Sequence, residues 1–118
     1  MPDIALLESE LNAQVVAGDI LGAFEKFYDE QVSMQENSDP PCVGKAANRE
    51  REKQFVASVG QVHALQVLGG AVGADCSYSE WHFDITFKSG QRAAFDQAVA
   101  RRWRNGKVVN ERFYYAKH

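Results

Sequence analysis

The stretch Ser79-Glu80-Trp81-His82-Phe83-Asp84-Ile85-Thr86-Phe87 alternates polar and apolar residues. Successive side chains of an extended strand leave on opposite faces, so Glu80, His82, Asp84 and Thr86 share one face and Trp81, Phe83, Ile85 and Phe87 the other. A histidine beside an aspartate on one strand face is a candidate acid–base couple, because imidazole titrates near neutrality. The apolar row is expected to be buried, against helices or against a second subunit. In the second case His82 and Asp84 line a pocket; in the first the polar row is a wet sheet face.

Farther along, Gln97, Val99, Arg101 and Trp103 share one direction, and Val109, Glu111, Phe113 and Tyr115 share one on the next strand. Asn105-Gly106 between them is a strong hairpin signal, and across that turn Arg101 and Glu111 come near enough to pair. A buried ion pair is costly, so this one reads either as a ligand-orienting device or as a structural salt bridge. Tyr28, Met34, Trp81, Gln97, Arg101, Trp103, Glu111 and Tyr115 are the expected ligand-binding residues, the aromatics also being suited to ordinary core. Cys42 and Cys76 lack a disulfide framework, a CxxC spacing and a basic partner, which predicts reduced thiols without a nucleophilic role. His63, His82 and His118 share no ligand spacing with them, so no metal site and no cofactor is expected.

The elements that must position these residues follow from the hydrophobic period. Ile4, Leu7, Leu11 and Val15 form a helical stripe over 3–16, with Pro2 and Asp3 at its start and Gly18 at its end. Asp19 caps a second helix carrying Ile20, Phe24, Phe27 and Tyr28, which should end near Asp29 or Glu30. Val32, Met34 and Glu36 then alternate as a short strand before Ser38-Asp39-Pro40-Pro41, the strongest breaker in the chain. A third helix is expected over 45–59. Its mixed-sign run Glu50-Arg51-Glu52-Lys53 reads as a solvated face. From Gly60 the period becomes two, predicting strands at 62–68, 76–88, 91–104 and 107–116, with a loose turn at Gly69, Gly70 and Gly73. Strands this long must twist and curl, and the helices are the natural filling of the concavity.

Bulk properties narrow the function further. The 118 residues are 45% hydrophobic and 25% charged, the size and composition of a single domain, 1–118, with one core. Net charge is −3 and the densest basic patch, Arg101, Arg102 and Arg104, alternates across a strand, which disfavours nucleic-acid binding. No apolar run approaches the ~20 residues of a membrane span and no signal peptide is visible, so no membrane association and a cytoplasmic location are expected.

The order of elements resembles the cone-shaped superfamily of nuclear transport factor 2, ketosteroid isomerase and the SnoaL-like polyketide cyclases. Its carriers are Ala17-Gly18-Asp19, Phe27-Tyr28-Asp29-Glu30-Gln31-Val32, Pro41-Cys42-Val43-Gly44 and the closing block from Phe95-Asp96-Gln97 through Arg101-Arg102-Trp103 and Gly106-Lys107-Val108-Val109 to Glu111-Arg112-Phe113-Tyr114-Tyr115. The resemblance covers nearly the whole chain and is nearest to the SnoaL-like branch. It implies an α+β fold, three N-terminal helices packed in the concavity of a strongly curved, mixed but mainly antiparallel sheet. It also places Glu36 close to the catalytic base of ketosteroid isomerase, where aromatic surroundings would raise a carboxyl pKa. The isomerase's two oxyanion donors fall near Leu11 and Val99, neither of which can donate a hydrogen bond, so steroid isomerisation by that route is not expected.

Two functions are compatible with these residues. One is cofactor-free isomerase- or cyclase-type proton transfer on a small hydrophobic or carbonyl-containing molecule, with Glu36, His82 and Asp84 as catalytic candidates. The other is a non-catalytic ligand-binding or dimerisation module. Under both, a homodimer through the sheet face is expected, since long strands with a second apolar face leave a patch that monomers seldom tolerate.

Overall fold

In chain order the elements are α1 (Ile4–Val16), α2 (Ile20–Phe27), β1 (Tyr28–Glu36), β2 (Cys42–Val43), α3 (Lys45–Ser58), β3 (Val59–Val72), β4 (Cys76–Phe87), β5 (Arg92–Arg104) and β6 (Lys107–Tyr114). The structure is a computed structural model describing residues 3–116; Pro2, expected at the helix start, and His118 lie outside the described residues. Asp3 nonetheless caps α1, accepting from the Leu6 amide at 3.3 Å. Asp19 caps α2 in the same way through Gly22 N at 2.9 Å and also accepts from Gln14 Nε2 at 2.8 Å. No helix among the described residues is long and apolar enough to cross a membrane.

The six strands form one mixed sheet in the order β2-β1-β6-β5-β4-β3. All neighbours are antiparallel except β1 and β6, which run parallel with Met34 opposite Glu111 and Glu36 opposite Phe113. The curved sheet holds the three helices in its concavity, the α+β cone that the element order implies. Leu11, Phe24, Phe27, Val32, Trp103 and Val108 belong to one buried core cluster, where α1 and α2 meet β1, β5 and β6.

Two sequence-based expectations change. The glycine-rich segment is not a loose turn, because β3 runs through it to Val72 and pairs Gly70 with Ser79 and Ala71 with Tyr78. Gly70 is there for close approach: a Cβ at this position would stand 2.7 Å from the Tyr78 carbonyl oxygen. Gly70→Ala is therefore expected to cost about 1–3 kcal/mol in urea unfolding, as overpacking against immobile backbone does. On β6, a register shift opposite Arg102 and Trp103 buries Val108 rather than Val109, while the Arg101–Glu111 pairing is kept.

Candidate functional site

A cavity of about 400 Å³ lies between the helices and the concave sheet face, within the range of small-molecule sites. One wall is a ladder of rings contributed by neighbouring strands. Trp81 and Phe83 lie 5.9 Å apart, Phe83 and Phe95 5.3 Å, and Phe95 and Tyr115 5.6 Å, centroid to centroid. These residues face inward because the helices cover this side, so the apolar row of β4 packs toward α1–α3.

That choice of face corrects the placement expected for His82 and Asp84. Both lie on the outer side of the sheet. His82 Nδ1 is 2.7 Å from Asp96 Oδ1, and Arg92 donates to both oxygens of Asp84 at 2.9 and 2.8 Å. The Arg92 guanidinium holds the Asp84 carboxyl below its ordinary value. A period-two strand reads identically from either side, and only the helices decide which row is covered.

The floor of the cavity is polar and buried, and its groups bond one another except for Glu8 Oε2, which meets no donor among the described residues. Arg101 sends Nε to Glu111 Oε2 at 2.6 Å and Nη1 to Asn12 Oδ1 at 2.7 Å and to Glu8 Oε1. Tyr28 donates its hydroxyl to the same Glu111 oxygen. Burial first, then the Glu111 charge, holds the Tyr28 hydroxyl well above its ordinary pKa, so it remains a donor. Glu8 and Asn12 sit one turn apart on α1, beside its apolar stripe, and a buried carboxylate–amide pair there was not foreseen from sequence. Trp103 does not reach the cavity: it lies in the core with Nε1 on Ser77 Oγ at 2.8 Å, and Trp81 bonds Ser79 Oγ likewise.

The third wall belongs to α3. Asn48, Arg51, Glu52 and Phe55, at i, i+3, i+4 and i+7, all line the cavity. Glu52 is partly buried, and no hydrogen bond or ion pair to it is found among the described residues. Burial, reinforced by the charges of Glu111 and Glu36 and opposed by Arg51, pushes its carboxyl up to about 7. The expectation of a wholly solvated run at Glu50-Arg51-Glu52-Lys53 is corrected accordingly: Glu50 and Lys53 pair outside at 3.9 Å, whereas Arg51 and Glu52 turn toward the cavity. Glu36 lines the cavity at its mouth with a 42% exposed side chain, 3.6 Å from Arg51 Nη2.

Of the residues singled out from sequence, the cavity gathers Glu36, Tyr28, Met34, Trp81, Gln97, Arg101, Glu111 and Tyr115, and excludes His82, Asp84 and Trp103. Leu11 and Val99 line it as apolar surface. Among the described residues no group of three or more His, Cys, Asp or Glu side chains is placed to hold a metal ion.

A cone of three helices in a curled mixed sheet, enclosing an apolar cavity with a charged floor, defines the nuclear transport factor 2-like class of folds. Within it the chain belongs to the SnoaL-like domain family, whose model matches residues 10–115. A protein from Mesorhizobium loti, assigned as a SnoaL-like polyketide cyclase, superposes with a TM-score of 0.86 at 29% identity over 97% of this chain and 100% of its own. One from Rhodopseudomonas palustris, assigned as an isomerase, reaches 0.77 at 15% identity over 99% and 92%. A nuclear transport factor 2-like protein from Burkholderia pseudomallei reaches 0.76 at 12% identity over 98% and 92%, and these last two show the fold alone. No curated protein sequence matches the chain.

Proposed function

We propose that the cavity binds a small, mainly apolar carbonyl compound and catalyses cofactor-free proton transfer on it, with Glu52 as the base. Glu52 takes a proton from the carbon beside the carbonyl, the C–H electron pair passes to the carbonyl oxygen as an enolate, and the proton returns at another carbon. The observation that carries this reading is an unpaired carboxyl inside an apolar, ring-lined cavity, titrating where a general base is most effective. The Gln97 amide on the facing strand is the donor proposed for the enolate oxygen, since Tyr28 and Arg101 are committed to Glu111. Glu36, the base implied by resemblance, serves here to hold Arg51 at the mouth. The assignment of the Mesorhizobium protein as a SnoaL-like polyketide cyclase is in keeping with this class of chemistry. The test is deuterium exchange into the α-carbon of small aryl ketones in D2O, followed by proton NMR. Wild type and Glu36→Gln are expected to exchange faster than buffer and Glu52→Gln not to; equal exchange by wild type and Glu52→Gln would remove Glu52 from the mechanism.

A second reading, non-catalytic binding, is favoured by the commitment of the Tyr28 and Arg101 donors to Glu111 and Asn12, and by Leu11 and Val99 where the related isomerase has donors. It requires ketones to bind wild type and Glu52→Gln alike, with exchange in neither. Under both readings we propose a homodimer through the outer sheet face, in the cytoplasm. Tyr78, Tyr114 and Leu68 stand exposed there and on the β3 edge. Sedimentation at micromolar concentration is expected to give twice the 13.2 kDa chain mass, and a particle of that mass itself would refute it.

A further inference from the structure

Among the described residues, two cationic side chains line the cavity, Arg51 and Arg101, and they differ in what they have left to give. Arg101 is 4% exposed and committed, donating to Glu8, Asn12 and Glu111. Arg51 stands at the mouth with a side chain 46% exposed. Its ion-pair partner, an oxygen of Glu36, lies 3.6 Å away, beyond hydrogen-bond distance. No hydrogen bond from the Arg51 guanidinium is found among the described residues. A guanidinium carries five N–H donors in a rigid planar fork that matches the two oxygens of a carboxylate. Arg51 therefore presents an uncommitted fork at the cavity mouth.

Its pair with Glu36 is built to be exchanged. A half-exposed ion pair without a hydrogen bond is held weakly, so little is lost in parting it. Glu36 is itself half exposed, and a ligand carboxylate that takes its place lets it turn to water while the charge facing Arg51 stays the same. A shallow groove outside the mouth shares Glu36, Phe95 and Tyr115 with the cavity. The cation in that groove, Arg92, already donates two hydrogen bonds to Asp84, which leaves Arg51 for an incoming anion.

We propose that Arg51 is the recognition site for a carboxylate on the ligand, which displaces Glu36 on binding, and that the ligand is a keto acid. This rests on the carbonyl reading above and narrows it. The apolar body lies against the rings of β4 and β5, and the acid stays at the mouth, where partial exposure spares much of its desolvation. A carboxylate fits better than a phosphate, whose second charge would be set against Glu36 and Glu52. Arg51 and Glu52 are neighbours in sequence, about 100° apart around the helix axis, so a short chain joins the carboxylate to the carbon that Glu52 deprotonates.

The test is calorimetric titration of wild type with 3-benzoylpropionate and its methyl ester. The ester keeps the ring and the ketone and removes the charge. The acid is expected to bind about five- to tenfold tighter, the discrimination of a charge-assisted bond reduced by its exposure to water. That margin should shrink as sodium chloride is raised from about 0.05 to about 0.5 M. Equal affinities, a tighter ester, a margin that salt leaves untouched, or binding of neither compound would overturn the assignment. Arg51→Gln is expected to close the gap between acid and ester, and Glu36→Gln to widen it by removing the competing carboxylate. A gap that survives Arg51→Gln, or that Glu36→Gln leaves as it is, would overturn the proposal equally. Where a variant fails to fold, the wild-type pair and its salt dependence still decide. An intact acid preference without α-carbon exchange in wild type would sink the catalytic reading and leave this one standing; exchange of neutral aryl ketones without an acid preference would do the reverse.

Discussion

Glu52→Gln is expected to lower α-proton exchange by about 100- to 10,000-fold, the range attributed to a positioned general base, and at the same time to stabilise the protein in alkaline solution. The two effects share one cause. The Glu52 carboxyl has an ordinary value of 4.5, as in the unfolded chain, and titrates at about 7 in the fold. Between those values the folded protein holds a proton that the unfolded chain has released. Stability is therefore full below the lower value and declines as pH rises through the higher one. The loss amounts to at most about 3 kcal/mol above neutrality, at 1.36 kcal/mol for each unit separating the two values. Glutamine carries no charge to bury, so the variant escapes the decline. Thermal melts should show Glu52→Gln well above wild type at about pH 8 and level with it at about pH 4. Wild-type kcat/KM should rise with pH through about 7, following the ionised base. A variant no more stable than wild type at the higher pH would mean that Glu52 reaches water freely.

Arg101→Met is expected to cost about 3–5 kcal/mol in urea unfolding, a large share of the roughly 5–15 kcal/mol of a typical domain. Methionine fills the stem's volume, but it leaves Glu111 and Glu8, 1% and 6% exposed, as buried carboxylates without a counter-charge. Replacing Glu8, Arg101 and Glu111 together by apolar residues of similar size should recover most of the loss, because an ion cluster removed whole leaves no orphaned charge. A single Arg101→Met variant within ~1 kcal/mol of wild type would show that water or rearranged side chains already solvate the two carboxylates.

The fold was legible because its signals are local and mutually consistent. The period of two after Gly60, the Asn105-Gly106 turn and the Pro40-Pro41 breaker each specify backbone directly, and Arg101 opposite Glu111 follows from hairpin register alone. The cavity was half legible. Trp81 and His82 belong to the same alternating run, and choosing between them depends on where the helices dock, a property of residues far away in the chain. Glu52 was obscured by its neighbours. A mixed-sign run satisfies the pattern of a solvated helix, although the spacing of Asn48, Glu52 and Phe55 along one face of α3 is a signal that could have exposed it. Glu8 and Asn12 were missed for a related reason: polar residues adjoining an apolar stripe are usually at its wet border, and the partner that draws these two inward, Arg101, lies at the other end of the chain.

The parallel pairing of β1 with β6 also governs the order in which this molecule can come into being. Met34 finds its neighbour only when Glu111 has been synthesised, and Tyr28 and Arg101 share no carboxylate until then. A chain emerging residue by residue thus makes its helices first, with Phe24, Phe27 and Leu11 uncovered, and has no cavity to offer until the final strand arrives. A nascent chain halted before β6 would keep those apolar side chains uncovered and lack the part of the cavity wall that Glu111 and Phe113 supply.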